Sequence, residues 1–358
     1  MFFINKKINR DNNFDFLRFV FALIVVCAHC VILAGQSQLE GWWTALFDTK
    51  IAVCGFFVIS GFLVTKSYLG SSGVKKYFEK RARRLLPAYL CVIILCVLLL
   101  SLFSDLSVVS YFSSFETLKY FLANITFLNF LQPTLPGVFV QHVSPAVDGA
   151  LWTIKVEVGF YLLLPLLVFV INKIRSFKKG IILLLAFYCS SILFQQLCIY
   201  WGSRLNSNLL INLSHQLPGV LSYFLSGVLL FAVYEFFLKH KRLIVLIALP
   251  VFLIEHYFGL EILQPLALAC IVIYTAFSFP FLNRFGKYGD ISYGIYIFHF
   301  PIIQVLVTFG FYAWNPFMAF FMTIILVCVI GFLSWHLVEK RFLPRSRREI
   351  YPSLAEKG

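Results

Sequence analysis

The sequence predicts an all-α membrane protein, a polytopic transmembrane helix bundle of about ten spans with both termini in the cytoplasm. Composition is the first observation behind this prediction. Of the 358 residues, 60% are hydrophobic and only 13% are charged, and the mean hydropathy is +0.87. A soluble domain is roughly 45–50% apolar and about 25% charged. One soluble core cannot bury so many apolar residues, so the composition excludes a soluble enzyme, a disordered chain and a small disulfide scaffold.

Hydropathy along the chain supplies the second observation. It divides the sequence into ten apolar stretches close to the roughly 20 residues that a helix needs to cross a bilayer. In chain order, the predicted spans are 14–33, 51–67, 85–103, 150–171, 180–200, 217–237, 243–257, 262–279, 291–311 and 316–338. In the longest connection, at about 104–149, residues 112–130 are compatible with a helix that dips partly into the membrane. No internal repeat interrupts the pattern, so we expect a single membrane domain over 1–358, a short basic tail at about 340–358 and no appended soluble domain.

The basic residues supply the third observation, because they fall mainly on one side of the predicted spans. With the N-terminus in the cytoplasm, 25 of the 30 Lys and Arg residues lie on the cytoplasmic side. The connections on the other side hold Lys50, Lys119 and Arg204. This asymmetry follows the positive-inside rule and predicts that both termini are cytoplasmic. The formal charge of +14 is therefore an orientation signal and does not indicate a nucleic-acid partner.

Two ionisable residues lie inside the first span, where such residues are costly and mark candidate functional positions. Arg18 and His29 are 11 residues apart, so they share one helix face with a rise of about 16 Å. Arg18 has structural alternatives, namely reaching the cytoplasmic headgroups or pairing with Asp15. His29 lies deeper, and a chemical role is favoured over a structural hydrogen bond. Cys27 and Cys30 flank His29, but without further ligands they do not predict a metal site.

The fourth span carries a second ionisable candidate, Glu157. At about 1.5 Å per residue, Glu157 lies about 10 Å below the outer boundary and His29 some 8 Å below it. A carboxylate at that depth orients an imidazole and raises its basicity. Lys155 is the alternative partner, but residues two apart face different sides of a helix. We therefore predict a Glu157–His29 pair, which cross-linking of cysteines placed at the two positions would test.

The densest basic run, residues 75–84, lies before the third span. Arg81, Arg83 and Arg84 at its end have guanidinium groups suited to bidentate contacts with the phosphates of a donor molecule. The other interpretation is ordinary anchoring by cytoplasmic positive charge. The run by itself leaves both interpretations open.

Six stretches of the sequence together resemble one known family. They are residues 16–18 with His29, residues 55–63, residues 81–89, residues 151–153 with Glu157 and 160–161, residues 291–296 with His299 and Pro301, and residues 339–342. In this order they resemble the bacterial acyltransferase-3 family, integral membrane enzymes that O-acylate cell-surface polysaccharides and related envelope glycans. The resemblance covers residues 16–342.

The resemblance implies an O-acyltransferase of the bacterial inner membrane. Its donor would be an acyl-CoA, acetyl-CoA first among them, and its acceptor a glycan or lipid-linked sugar. It assigns Arg18 and His29 to the family's Arg-x10-His pair, the three arginines to donor binding and Glu157 to the acidic position. Val158 stands where many members carry a second acidic residue, which leaves Glu157 as an orienting partner. His29 is then either a general base or a transient acyl carrier.

Four further residues are candidates for substrate contacts: Trp152, Asp148, Tyr293 and His299. An interfacial Trp more often anchors its helix, and for His299 a donor path and a structural hydrogen bond are equally supported. We expect no metal and no permanently bound cofactor, and partners limited to acyl-CoA, the acceptor and lipids. The alternative function is a transporter or flippase of an envelope precursor, although many transporters show paired repeats that this sequence lacks.

Overall fold

The computed structural model describes residue 8, residues 11–174 and residues 176–343. These residues are predominantly helical and contain no β-strand, so the predicted all-α class is confirmed. Most of the predicted basic tail at about 340–358 lies outside the described residues. Four basic residues of the orientation argument lie outside them too, namely Lys6, Lys7, Arg10 and Arg175.

The described helices follow one another with short connections. The α-helices are α1 (Phe14–Ala34), α2 (Thr49–Leu69), α3 (Val74–Leu99), α4 (Val108–Ser113), α5 (Phe115–Ile125), α6 (Trp152–Lys173), α7 (Phe177–Arg204), α8 (Asn208–Ser214), α9 (Leu221–Ala232), α10 (Tyr234–Phe258), α11 (Gln264–Ala276), α12 (Ser292–Thr308), α13 (Phe311–Trp314), α14 (Pro316–Leu333) and α15 (Lys340–Phe342). A π-helical turn at Ser334–Glu339 joins α14 to α15. Short 3₁₀ turns lie at Ser37–Leu39, Trp42–Leu46, Leu100–Phe103, Asn129–Leu131, Gly149–Leu151, Pro280–Leu282 and Phe285–Tyr288.

Each of the ten predicted spans overlaps a helix, but the helices are not all of spanning length. Six helices of the described part are long and apolar enough to cross a membrane, or up to eight if each bent pair is one span. The bends are 109° between α9 and α10 and 74° after α11. With 12 and 13 residues, α9 and α11 are shorter than a crossing requires. The count of about ten and the cytoplasmic position of the termini therefore remain predictions.

The connection before α6 contains the helix expected within residues 112–130, in a shorter form. This helix, α5, buries Thr117 and Tyr120 and exposes Phe115, Leu118 and Leu122. The partial dip of this helix into the membrane, expected from the sequence, remains a prediction.

The described residues form two compact units. Of the described residues, the first comprises residues 8 and 11–17, Val53–Glu79, and residues 156–174 and 176–284. Within it, a Cβ atom added at Gly61 of α2 would lie 2.0 Å from the carbonyl oxygen of Phe224. A Cβ atom added at Gly227 of α9 would lie 2.2 Å from the carbonyl oxygen of Val58. These glycines let the two helix backbones touch, as small residues do between membrane helices.

Gly61→Ala is expected to destabilise the protein by about 1–3 kcal/mol, because the new methyl group meets a backbone oxygen that cannot rotate away. The thermal unfolding midpoint of the detergent-solubilised protein measures this effect. Gly159→Ala, in α6 of the same unit, is the matched control, since its Cβ would meet only Leu217 Cδ1 at 3.4 Å. Equal midpoints for the two variants would contradict the close contact between α2 and α9.

Of the described residues, the second unit comprises Arg18–Ala52, Lys80–Lys155 and residues 285–343. Here Gly294 of α12 lies against α14, where its added Cβ would be 2.9 Å from Gly331 Cα. All the site residues predicted from the sequence belong to this unit except Glu157, which belongs to the first.

Candidate active site

The centre of the second unit holds two histidines in direct contact. His29 of α1 and His299 of α12, 270 residues apart in the chain, place Nδ1 and Nε2 at 2.8 Å. Their rings are nearly parallel, with an interplanar angle of 20° and centroids 5.0 Å apart. His299 is completely enclosed, whereas His29 is half-buried. His29 thus retains an accessible surface while its partner has none.

Aromatic and polar contacts hold this pair in place. The Phe300 ring packs edge-on against His29 with centroids 5.4 Å apart. A Cβ at Gly149 would lie 2.7 Å from that ring, so the glycine makes room for it. The Tyr296 carbonyl lies 2.6 Å from His299 Nδ1, and the Tyr296 hydroxyl lies 2.8 Å from Thr153 Oγ1. The pair is therefore braced from the start of α6 as well as from α12.

The buried carboxylate of Asp290 binds two of the predicted arginines, Arg18 in the first span and Arg84 just before the third. Asp290 Oδ2 accepts from Arg18 Nη1 at 2.9 Å and from Arg84 Nη2 at 2.6 Å. Its other oxygen accepts from the backbone N–H of Ser292 at 3.3 Å and from the Ser292 hydroxyl. Burial alone would raise the pKa of Asp290, but Arg84 and Arg18 hold that pKa below its ordinary value. Asp290 is therefore an ionised partner of both arginines.

Arg84 also binds a second buried carboxylate, in the π-helical turn. Its Nη1 donates to Glu339 Oε2 at 3.0 Å, and Ser334 Oγ donates to Glu339 Oε1 at 3.0 Å. Its guanidinium carbon also lies 5.4 Å from the centroid of the Trp335 ring. The side chains of Asp290 and Glu339 are only 5% and 1% exposed. We call Arg18, Arg84, Asp290 and Glu339 the arginine–carboxylate cluster; its formal charges sum to zero.

The other two arginines of the basic run differ in exposure. Arg83 is exposed and its Nη1 lies 3.5 Å from the Phe342 carbonyl oxygen, whereas Arg81 is half-buried. The three guanidinium groups predicted to act alike thus have different surroundings. Arg84 is held between two carboxylates, and Arg83 faces outward.

Glu157 has a partner within its own unit. It accepts a hydrogen bond from the Tyr161 hydroxyl one helical turn later in α6. The neighbouring Lys155 places its ammonium group 4.7 Å from the centroid of the Phe130 ring. Since Glu157 and His29 belong to different units, their predicted pairing remains a prediction.

The remaining substrate-contact candidates lie at the ends of α6 and α12. Asp148 caps the turn before α6 by accepting from the Ala150 N–H at 3.0 Å, and burial raises the pKa of Asp148 well above its ordinary value. Its Oδ2 is buried without a hydrogen-bond partner among the described residues. Trp152 is half-buried at the start of α6. Tyr293 donates to the Leu85 carbonyl at 3.0 Å.

Sequence reasoning missed two contacts of this site. Asp290 is not among the predicted site residues. Its position directly after the basic connection with Arg284 and Lys287 is a signal that could have indicated an ion-pair partner. Glu339 belongs to one of the family-like stretches, but no local sequence pattern indicates Arg84 as its partner. For Arg18, the sequence suggests Asp15 as an ion-pair partner, and the structure shows an ion pair with Asp290.

These helices and this site define a multi-pass membrane protein with a histidine pair next to Phe300 and an arginine–carboxylate cluster in the same unit. The acyltransferase domain family, acyltransferase-3, matches residues 11–336. The chain therefore belongs to this family.

Two curated relatives share part of the chain. Nodulation protein 10 of Rhizobium leguminosarum bv. viciae is 37% identical over 164 residues, which cover 44% of each chain. An O-acetyl transferase of Shigella phage Sf6 is 31% identical over 189 residues, which cover 52% of this chain and 53% of that protein. The chain thus spans about half the length of the curated relatives it matches. No solved structure matches it.

Proposed function

We propose that this protein is an acyltransferase of the bacterial inner membrane. It transfers an acyl group, with acetyl as the main candidate, from acyl-CoA to a hydroxyl group of a cell-envelope or exported glycan. The observation that carries the proposal is the half-buried His29, hydrogen-bonded to a fully enclosed histidine. Membership of the acyltransferase-3 family and the O-acetyl transferase of phage Sf6 support the type of reaction.

His29 acts as the general base in this proposal. It takes the proton of the acceptor hydroxyl while the oxygen attacks the thioester carbonyl carbon. The carbon–sulfur bond then breaks, and His29 returns the proton to the departing thiolate, so that CoA leaves as the free thiol. A labelled acetyl group that stays on the purified protein when acceptor is absent would instead identify His29 as an acyl carrier.

The donor phosphates bind at Arg81 and Arg83. Arg83 is exposed, and a guanidinium group makes strong charge-assisted hydrogen bonds to phosphate. Arg84 and Arg18 are held by buried carboxylates, which suits them to shaping the inner end of the donor path. Glu157 is the acidic residue that the family resemblance assigns to the site, and it accepts a hydrogen bond from the Tyr161 hydroxyl.

Two measurements test the proposed activity. The purified protein in liposomes is supplied with acetyl-CoA and an envelope extract of the host strain, and release of CoA thiol is followed with a thiol-reactive dye. Mass spectrometry then compares surface glycans from cells with and without the protein. We expect thiol release and an added acetyl mass. Acetylated glycans in both strains and no thiol release above a heat-inactivated sample would refute the proposal.

Arg83→Gln is expected to raise the KM for acetyl-CoA about 10-fold with little change in kcat, since it removes a charge-assisted phosphate contact outside the reacting centre. Steady-state kinetics with acetyl-CoA measure both constants. Lys75→Gln is the matched control, because Lys75 is an exposed cation of the same basic run. An unchanged KM in the Arg83 variant would remove that residue from the donor site.

A further inference from the structure

His299 cannot take the same part as His29, because the two histidines differ in accessibility. His299 is completely enclosed, while His29 keeps part of its surface exposed. A substrate that reaches the pair therefore meets His29 and not His299. Any contribution of His299 to the reaction proceeds through the 2.8 Å contact between the two rings.

The hydrogen-bond partners of His299 determine which of its nitrogens carries the proton. The Tyr296 carbonyl oxygen, 2.6 Å from His299 Nδ1, has no proton to donate, so Nδ1 is the donor in that bond. In a neutral imidazole the second nitrogen then holds a lone pair. His299 Nε2 is accordingly an acceptor, and His29 Nδ1 donates to it.

We infer that His299 is a positioning residue that holds His29 in the Nδ1–H tautomer, so that His29 Nε2 is the nitrogen that removes the acceptor proton. This inference rests on the proposed function for its catalytic meaning. The tautomer of a reacting histidine is set by the hydrogen bond of its other nitrogen. Here a second histidine supplies that bond.

The proton balance is simple. The hydroxyl proton moves to His29 Nε2, while the Nδ1 proton stays in its bond to His299. The protonated ring then gives the Nε2 proton to the departing thiolate and returns to the starting tautomer. His299 keeps its own Nδ1 proton on the Tyr296 carbonyl throughout, so the pair ends the cycle as it began.

The surroundings of His299 favour one ring orientation. The Tyr296 hydroxyl bonds Thr153 Oγ1, and Thr153 Oγ1 also donates to the Ala150 carbonyl at 3.0 Å. The Thr153 hydroxyl therefore donates its hydrogen bond to the Ala150 carbonyl and accepts one from the Tyr296 hydroxyl. Tyr296 is thus fixed at both ends, since its hydroxyl bonds Thr153 and its carbonyl accepts from His299 Nδ1.

Substitution of His299 tests the inference through kcat. His299→Leu removes the acceptor, and we expect kcat to fall about 100-fold with less than about a twofold change in the KM for acetyl-CoA. His299→Gln places an amide oxygen that accepts from His29, and we expect it to restore most of the lost kcat. In a protein that already carries His29→Ala, adding His299→Leu should cause no further loss of kcat. Full activity in the leucine variant, or equal losses in both variants, would overturn the inference.

A measurement on the unaltered protein tests the tautomer directly, even if the leucine variant does not fold. Nitrogen-15 NMR of the histidine-labelled protein, assigned with the His29→Gln variant, distinguishes protonated from unprotonated ring nitrogens. We expect His29 to show a protonated Nδ1 and an unprotonated Nε2. The opposite pattern overturns the inference whatever the activity, whereas this pattern in a protein inactive on acetyl-CoA refutes the proposed function alone.

Discussion

His29→Gln is expected to lower acetyl transfer by about 100- to 10,000-fold while the protein still inserts and folds. Glutamine keeps an N–H donor for the enclosed His299, so that buried nitrogen does not lose its partner. It has no basic nitrogen, however, and general-base groups contribute roughly 10²–10⁴-fold to a rate. Thiol release from acetyl-CoA and glycan mass spectrometry measure the loss. Size-exclusion chromatography and the thermal unfolding midpoint report folding.

Two further variants make this experiment specific. His29→Ala is expected to be equally inactive but also less stable, by about 1–3 kcal/mol, because His299 Nε2 is left buried and unpaired. His240→Ala is the matched control, since this half-buried histidine hydrogen-bonds the Phe236 carbonyl of its own helix at 3.0 Å. Acylated glycans in cells that carry only the glutamine variant would show that His29 is not the base.

Much of the helical organisation could be read from the sequence, since hydropathy responds to burial in lipid. The bends that interrupt the apolar helices could not be read from it. A hydropathy window averages over Val233, where the chain bends by 109° between α9 and α10, because apolar residues continue on both sides of the bend. Such a window detects an apolar environment and carries little information on helix direction.

The candidate site was predictable one residue at a time and only partly as a set of contacts. An ionisable residue in an apolar span stands out by its cost, which is how His29 and Arg18 were found. Their partners, His299 and Asp290, lie about 270 positions away, and no periodicity links residues at such separations. Glu157 is predicted as the partner of His29 because the two lie at similar depths below the outer boundary. Residues of several helices share that depth, so depth alone does not identify a contact.

The arginine–carboxylate cluster gives the second large expected effect. Asp290 Oδ2 receives hydrogen bonds from two guanidinium groups, and its side chain is 5% exposed. Removing one partner of a buried ion pair leaves an uncompensated charge and costs about 3–5 kcal/mol. Asp290→Asn is therefore expected to lower the unfolding midpoint of the detergent-solubilised protein sharply. Glu79→Gln is the control, since its ion pair with Lys76 has side-chain exposures of 37% and 56% and contributes about 0–1 kcal/mol.

The double variant Asp290→Asn with Arg18→Met separates the structural from the functional part of the cluster. With Asp290 replaced by Asn, the cluster as defined holds two guanidinium groups and the single Glu339 carboxylate, so its formal charge becomes positive. Removing Arg18 as well restores neutrality, because Arg84 keeps its 3.0 Å bond to Glu339. We expect the double variant to regain much of the lost stability. It should stay impaired in acetyl transfer, since it lacks the Arg18 guanidinium that we propose for the inner end of the donor path. Recovery of both properties would make Arg18 a purely structural counter-ion of Asp290, and recovery of neither would show that the carboxylate stabilises the fold by contacts other than charge.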